Sequence, residues 1–119
     1  YASPDVNTFR KLNELSKDKG NITVYCPYDI GYVMAHYYEF RFFRNKNISL
    51  RFYHNNEQLN AQNPRNKNEF ILVWDHFTNW PSEQGAKCLF KSISDYQKSF
   101  LFRGSLWNRD EYSIYSFEP

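Results

Sequence analysis

The stretch from Ile22 to Arg44, ITVYCPYDIGYVMAHYYEFRFFR, constrains the fold more than any other part of the chain. Ile22, Val24 and Tyr25 are β-branched or aromatic residues that suit a packed strand. Gly20-Asn21 before them and Pro27 after them punctuate the element. Asp29 can then cap a helix by accepting from an unpaired first-turn N–H. Ile30, Val33, Met34, Tyr37 and Phe40 recur at helical spacing, giving one apolar stripe. A strand that turns directly into a helix is the first half of a βαβ unit.

The flanking segments extend this pattern. Residues 3–19 predict a helix: Ser3 caps it, Pro4 suits its first turn, and Asp5 complements the positive end of the dipole. Val6, Phe9, Leu12 and Leu15 form its stripe, with Lys17 and Lys19 in the last turn and Gly20 as terminator. Ile48 to His54 alternates Ile48, Leu50 and Phe52 with Ser49, Arg51 and Tyr53, the pattern of a strand with one packed face. Asn55 to Asn68 is dominated by Asn and Gln without apolar period and reads as a long surface loop. Phe70 to Trp74 is a continuous apolar run, as in a strand buried on both faces. Thr78 to Gly85 reads as a second loop. Strands are predicted at Ala86–Ile93, Ser99–Arg103 and Tyr112–Phe117, with hairpin turns at Asp95–Lys98 and Asn108–Asp110. The expectation is one α/β (α+β) domain over residues 1–119. It carries a mixed sheet of about five to six strands and two helices, in the order α-β-α-β-β-β-β-β.

Length and composition narrow the function classes. A chain of 119 residues can build a core without metal or disulfide staples. Its 20% aromatic content beside a mean hydropathy of -0.79 implies packing on Tyr and Phe inside a polar surface. A net charge of +2 gives no basic footprint, so no nucleic-acid partner is expected. No run approaches the length of a membrane-spanning helix. The sequence opens on Tyr1 without a signal-peptide pattern, which reads as a processed form or a piece of a longer protein. Cys26 and Cys88 are expected as free, buried thiols. A disulfide would require their Cα atoms within roughly 7 Å.

Candidate chemistry gathers at the carboxyl ends of the strands, where ligands collect in open α/β sheets. Tyr28 and Asp29 leave the first strand there. If the Phe70–Trp74 strand runs parallel to it, Asp75 and His76 reach the same edge with Trp80 nearby. Two carboxylates and an imidazole can bind a metal or share acid–base work; equally, Asp29 is a helix cap and Asp75-His76 a turn. The aromatic run from Tyr37 to Arg44 is a second candidate, either a partner surface beside a membrane or domain or plain core. Ring stacking by Trp74, Trp80 or Trp107 is a third, with Trp80 the best contact residue because Trp74 lies inside an apolar run. Asn21-Ile22-Thr23 and Asn47-Ile48-Ser49 match the N-glycosylation pattern, which matters only in a secretory protein. His36, His54 and His76 lack ligand spacing, and a trio of Glu39, Arg41 and His54 has no geometry in the sequence to support it.

The segments FRKLNELSKDKG, ITVYCPYD, GYVMAHYYEFRFF, FILVWDH, FLFRG and the closing YSIYSF together resemble a known arrangement. It is the soluble extracytoplasmic domain that follows the membrane helices in bacterial glycosyltransferases of the GT-C type, relatives of protein mannosyltransferases and lipid A aminoarabinose transferases. The resemblance implies a non-catalytic accessory domain on the outer face of a membrane, assisting a parent membrane domain with a lipid-linked sugar donor or an acceptor. That family's catalytic carboxylate lies in a loop between membrane helices, so no catalytic residue or cofactor is implied here. On this reading Tyr28, Asp29, Asp75, His76 and Trp80 contact the sugar. The rival readings are a small metal-dependent hydrolase or nuclease using Asp29, Asp75 and His76, and a protein-interaction module using the Tyr37–Arg44 face.

Overall fold

The structure, a computed structural model, describes residues 4–28, 46–74, 80–97 and 107–117. They form a mixed five-stranded sheet with helices on both faces. The strands are β1 (Ile22–Pro27), β2 (Ile48–Tyr53), β3 (Glu69–Trp74), β4 (Lys87–Gln97) and β5 (Trp107–Ser116), in the spatial order β2-β1-β3-β5-β4. β1 is parallel to both β2 and β3, while β5 is antiparallel to β3 and β4. β1, β2, β3 and β4 therefore all begin at one edge of the sheet, called here the amino edge, and all end at the opposite one.

Strand alternation sends successive side chains to opposite faces, and each face has its own cover. Ile22, Val24, Cys26, Phe70, Leu72, Tyr112 and Ile114 form one cluster with Phe9, Leu12 and Leu15 of α1 (Pro4–Lys19). The helix stops where the sequence says it should. Gly20 takes a positive φ of 82° and its N–H reaches the Ser16 carbonyl at 2.8 Å, a glycine C-cap. On the other face Tyr25, Tyr53, Ile71 and Val73 pack with Leu59 and Trp80. Those two covers come from α2 (Asn56–Gln62) and α3 (Trp80–Glu83).

Both short helices lie where the sequence reads as loop, and the reason is local. α2 buries Leu59 alone, so it has no apolar period to detect. It is made by its ends: Asn55 Oδ1 accepts from the Gln58 N–H at 2.8 Å, and Asn63 closes it in the left-handed region with φ 49°. The hairpin turns also differ. Asp95 lies in β4 and Asn108–Asp110 in β5, paired out to Gln97 opposite Trp107. Strand propensity is weak beside pairing context, so Asn and Asp can continue a ladder once its register is set. The predicted strand Ser99–Arg103 and the helix after Asp29 lie outside the described residues, as does the Tyr37–Arg44 face.

Both cysteines are free, but only Cys26 is buried; Cys88 is exposed. Three strand spacings separate β1 from β4, roughly 14 Å, beyond the reach of a disulfide. Among the described residues no helix is long and apolar enough to cross a membrane.

Candidate functional site

Because β1 and β3 are parallel neighbours, their carboxyl ends, at Tyr28 and Trp74, share one edge. Tyr28 is 43% exposed there, its ring 4.1 Å from that of His54 and edge-on to Phe52 at 6.3 Å. Asp29, Asp75 and His76 lie outside the described residues. Trp80 does not serve as an open platform, being only 5% exposed. Its Nε1–H donates to Asn60 Oδ1 at 3.2 Å, Phe117 meets it edge-on, and the Arg65 guanidinium lies 5.3 Å from its ring centre. Trp80 thus pins α3 to α2, a packing role that exposure-blind sequence reading cannot separate from stacking. Of the rival trio, His54 alone is described; it is exposed, and its backbone N–H donates to Gln58 Oε1.

A cavity with a polar lining lies at the other end of the same strands. At the amino edge an open groove of about 490 Å3 is lined by Asn21, Ile22, Thr23, Ser49, Asn66, Lys67, Asn68 and Glu69. Its shape follows from the pairing. Ile22 stands opposite Ile48 and Thr23 opposite Ser49, so the tripeptides Asn21-Ile22-Thr23 and Asn47-Ile48-Ser49 lie side by side. Thr23 is also opposite Glu69, so a row of Ser49, Thr23 and Glu69 crosses three strands. Backbone bonds fix the rim: the Ile22 N–H donates to the Asn47 carbonyl at 2.8 Å and the Thr23 N–H to the Asn68 carbonyl at 3.0 Å. Each bond ties the turn before a neighbouring strand to β1.

Glu69 is the groove's carboxylate and it is held from two sides. Oε2 accepts from the Tyr25 hydroxyl at 2.6 Å; Oε1 accepts from the backbone N–H groups of Arg65 at 3.0 Å and Asn66 at 2.9 Å. Burial by itself would raise this carboxyl, but the Tyr25 hydroxyl and the two N–H donors outweigh it and hold it below the usual carboxylate range. The Tyr25 hydroxyl is pushed up to about 12, first by burial and then by its bond to Glu69. Arg65 extends the network outward, donating to the Gln84 carbonyl at 3.2 Å and to Gln84 Oε1 at 3.0 Å. The loop carrying Asn66, Lys67 and Asn68 is therefore anchored at both ends.

Comparison with protein-family models, with curated proteins and with solved structures finds no match. The chemistry has to be argued from the groove. A carboxylate of lowered basicity that already accepts three hydrogen bonds is a poor general base, whereas fixed amides, hydroxyls and a carboxylate make good hydrogen-bonding partners. Among the described residues no three His, Cys, Asp or Glu side chains gather as a metal site. The sequence carried one signal for this groove: the repeat of Asn-Ile-Thr as Asn-Ile-Ser, which becomes informative once the two strands are seen in parallel register.

Removing the Glu69 carboxylate tests the network. Glu69→Ala removes the acceptor of the part-buried Tyr25 hydroxyl and of two exposed backbone N–H groups, and should cost about 1–2 kcal/mol near neutral pH. A depressed carboxyl contributes stability above its unfolded pKa and loses it as pH falls through the lower folded value. Urea denaturation should therefore show the gap between the two proteins constant above about pH 5 and closing below about pH 4.

Proposed function

We propose that the chain is a binding domain for a hydroxyl-rich ligand of the sugar class, held in the amino-edge groove. The observation that carries this is the lining itself. Three asparagines, a threonine, a serine and a carboxylate face one open groove on a backbone-tied rim, offering paired donors and acceptors of the kind sugar hydroxyls use. The lowered basicity of Glu69 favours holding a ligand over activating one. Such a role fits an accessory domain beside a membrane glycosyltransferase on its extracytoplasmic face, as the sequence pattern implies, where holding the donor or acceptor sugar would assist transfer. The contact set then shifts from the carboxyl edge to Asn21, Thr23, Ser49, Asn68 and Glu69.

Calorimetric titration against a panel of neutral oligosaccharides tests the reading. Thr23→Val keeps the branched shape and removes the hydroxyl, and should weaken binding about five- to tenfold. Weakening by Tyr28→Ala with none from Thr23→Val would return the site to the carboxyl edge. Absence of binding across the panel would overturn the proposal.

A further inference from the structure

Four of the eight residues lining the groove, Asn66, Lys67, Asn68 and Glu69, directly follow Arg65 in the chain. They make up the turn into β3 and its first residue, and from Arg65 to Glu69 no residue is buried. Pro64 is fully buried just before them, which fixes where the turn starts and not its course. Polar contacts hold that course, and the Arg65 side chain makes the ones that reach outside it. Its guanidinium stands 5.3 Å from the centre of the Trp80 ring and 5.6 Å from that of Phe117, rings that are themselves 6.4 Å apart. Its terminal nitrogens donate to the Gln84 carbonyl at 3.2 Å and to Gln84 Oε1 at 3.0 Å. A planar, weakly hydrated fork can lie on rings and donate from its edge at once, which an ammonium cannot do. The outer end of this clasp is firm, because Trp80 is buried in the second core cluster and tied to Asn60. At the inner end the Arg65 N–H donates to Glu69 Oε1 beside the Asn66 N–H, and the Asn68 carbonyl accepts from the Thr23 N–H. One residue thus joins a wall of the groove to two aromatic rings outside it.

We infer that Arg65 is the positioning residue of the groove: clasped by Trp80, Phe117 and Gln84, it holds the 65–69 turn in the shape that presents Asn66, Asn68 and Glu69 to a ligand. This deepens the sugar-binding reading, and its ligand half rests on that reading. A turn with no buried residue samples many shapes once its clasp is gone, and ordering it again on binding costs affinity. Arg65 is not among the lining residues, so its loss changes the freedom of the wall and leaves in place the groups that a ligand touches.

The test follows Arg65→Ala and Arg65→Lys by amide hydrogen exchange without ligand and by calorimetry with the same panel of neutral oligosaccharides. In both variants the Asn66 and Thr23 amides should exchange about tenfold faster, while those of Ile71 and Leu72 in β3 keep their rates. Affinity for whichever panel sugar the parent protein binds should fall about three- to tenfold, with the urea midpoint little changed because Arg65 is exposed. Unchanged exchange at Asn66 and Thr23 would overturn the inference, as would a lysine variant that matches the parent protein, since charge alone would then suffice. Acceleration of Ile71 and Leu72 by the same factor would mean general destabilisation and would overturn it too. A loosened turn with unchanged affinity would end the positioning role and leave the sugar reading standing. If the parent protein binds no panel sugar, the sugar reading falls, and exchange alone decides whether Arg65 holds the turn.

Discussion

Phe70→Ala is expected to lower the stability of the fold by about 3–5 kcal/mol, the largest effect of any single truncation considered. Phe70 is fully buried on β3, with β1 on one side and β5 on the other. It shares a cluster with Phe9, Leu12 and Leu15 of α1, Val24 of β1 and Ile114 of β5. Truncation opens a cavity that three elements line, and because the strand is held on both sides by ladders the site cannot collapse to refill it. Domains of this size have about 5–15 kcal/mol in hand, so the variant should sit near the edge of folding. The control is Leu89→Ala, at the bulge of β4 with its side chain 42% exposed; it should stay within about 0.5 kcal/mol. Urea denaturation of the two variants decides the matter. Equal losses would mean that β3 does not occupy the middle of the core.

Alkaline pH should unfold the protein steeply, and three buried groups account for it. Cys26 is pushed up from 9.0 to about 12 by burial. Tyr25 rises from 10.0 to about 12, by burial and then by Glu69. Tyr53 is raised by burial first and then by its nearness to Cys26, with its hydroxyl donating to the Leu72 carbonyl at 2.7 Å. Raised values favour the neutral form in the folded state, so this stability is fully present below the unfolded pKa and is lost as pH climbs toward the folded one. Between about pH 9 and 12 the unfolded chain gives up protons that the fold retains. Each group then subtracts up to about 1.4 kcal/mol per pH unit. Urea midpoints should be flat to about pH 8, begin to fall near pH 9 as the thiol engages, and steepen above about pH 10 as the two phenols join. Cys26→Ala should delay the onset by about one pH unit. Midpoints that stay level to pH 11 would show that these groups are not shielded as the packing implies.

What could be read from the chain beforehand follows from which residues carry a period. Leu12 and Leu15, Val24, and the run Phe70–Val73 announce α1, β1 and β3 because burial repeats at helical or strand spacing. β2 was equally legible, since Ile48, Leu50 and Phe52 face the α1 side while Tyr53 packs on the other. α2 escaped because capping by Asn55 and Asn63, not an apolar stripe, defines it. The far ends of β4 and β5 escaped because their Asp and Asn residues signal turns in isolation. The groove escaped for a different reason: its residues are ordinary in sequence and acquire meaning only through the neighbours that parallel pairing gives them. Trp80 is the converse case, a loop aromatic that sequence marks for contact and that the fold buries against α2.

The order of strands also bears on how the molecule is made. β5, the last of the described strands in chain order, slots between β3 and β4, and among the described strands β4 pairs with β5 alone. The sheet therefore cannot close until the segment carrying β5 is available, and a chain stopped before β5 would leave β3 with a bare apolar flank. Pairings this distant along the chain are slow to find, so refolding should be paced by the arrival of β5 rather than by the helix that precedes β1.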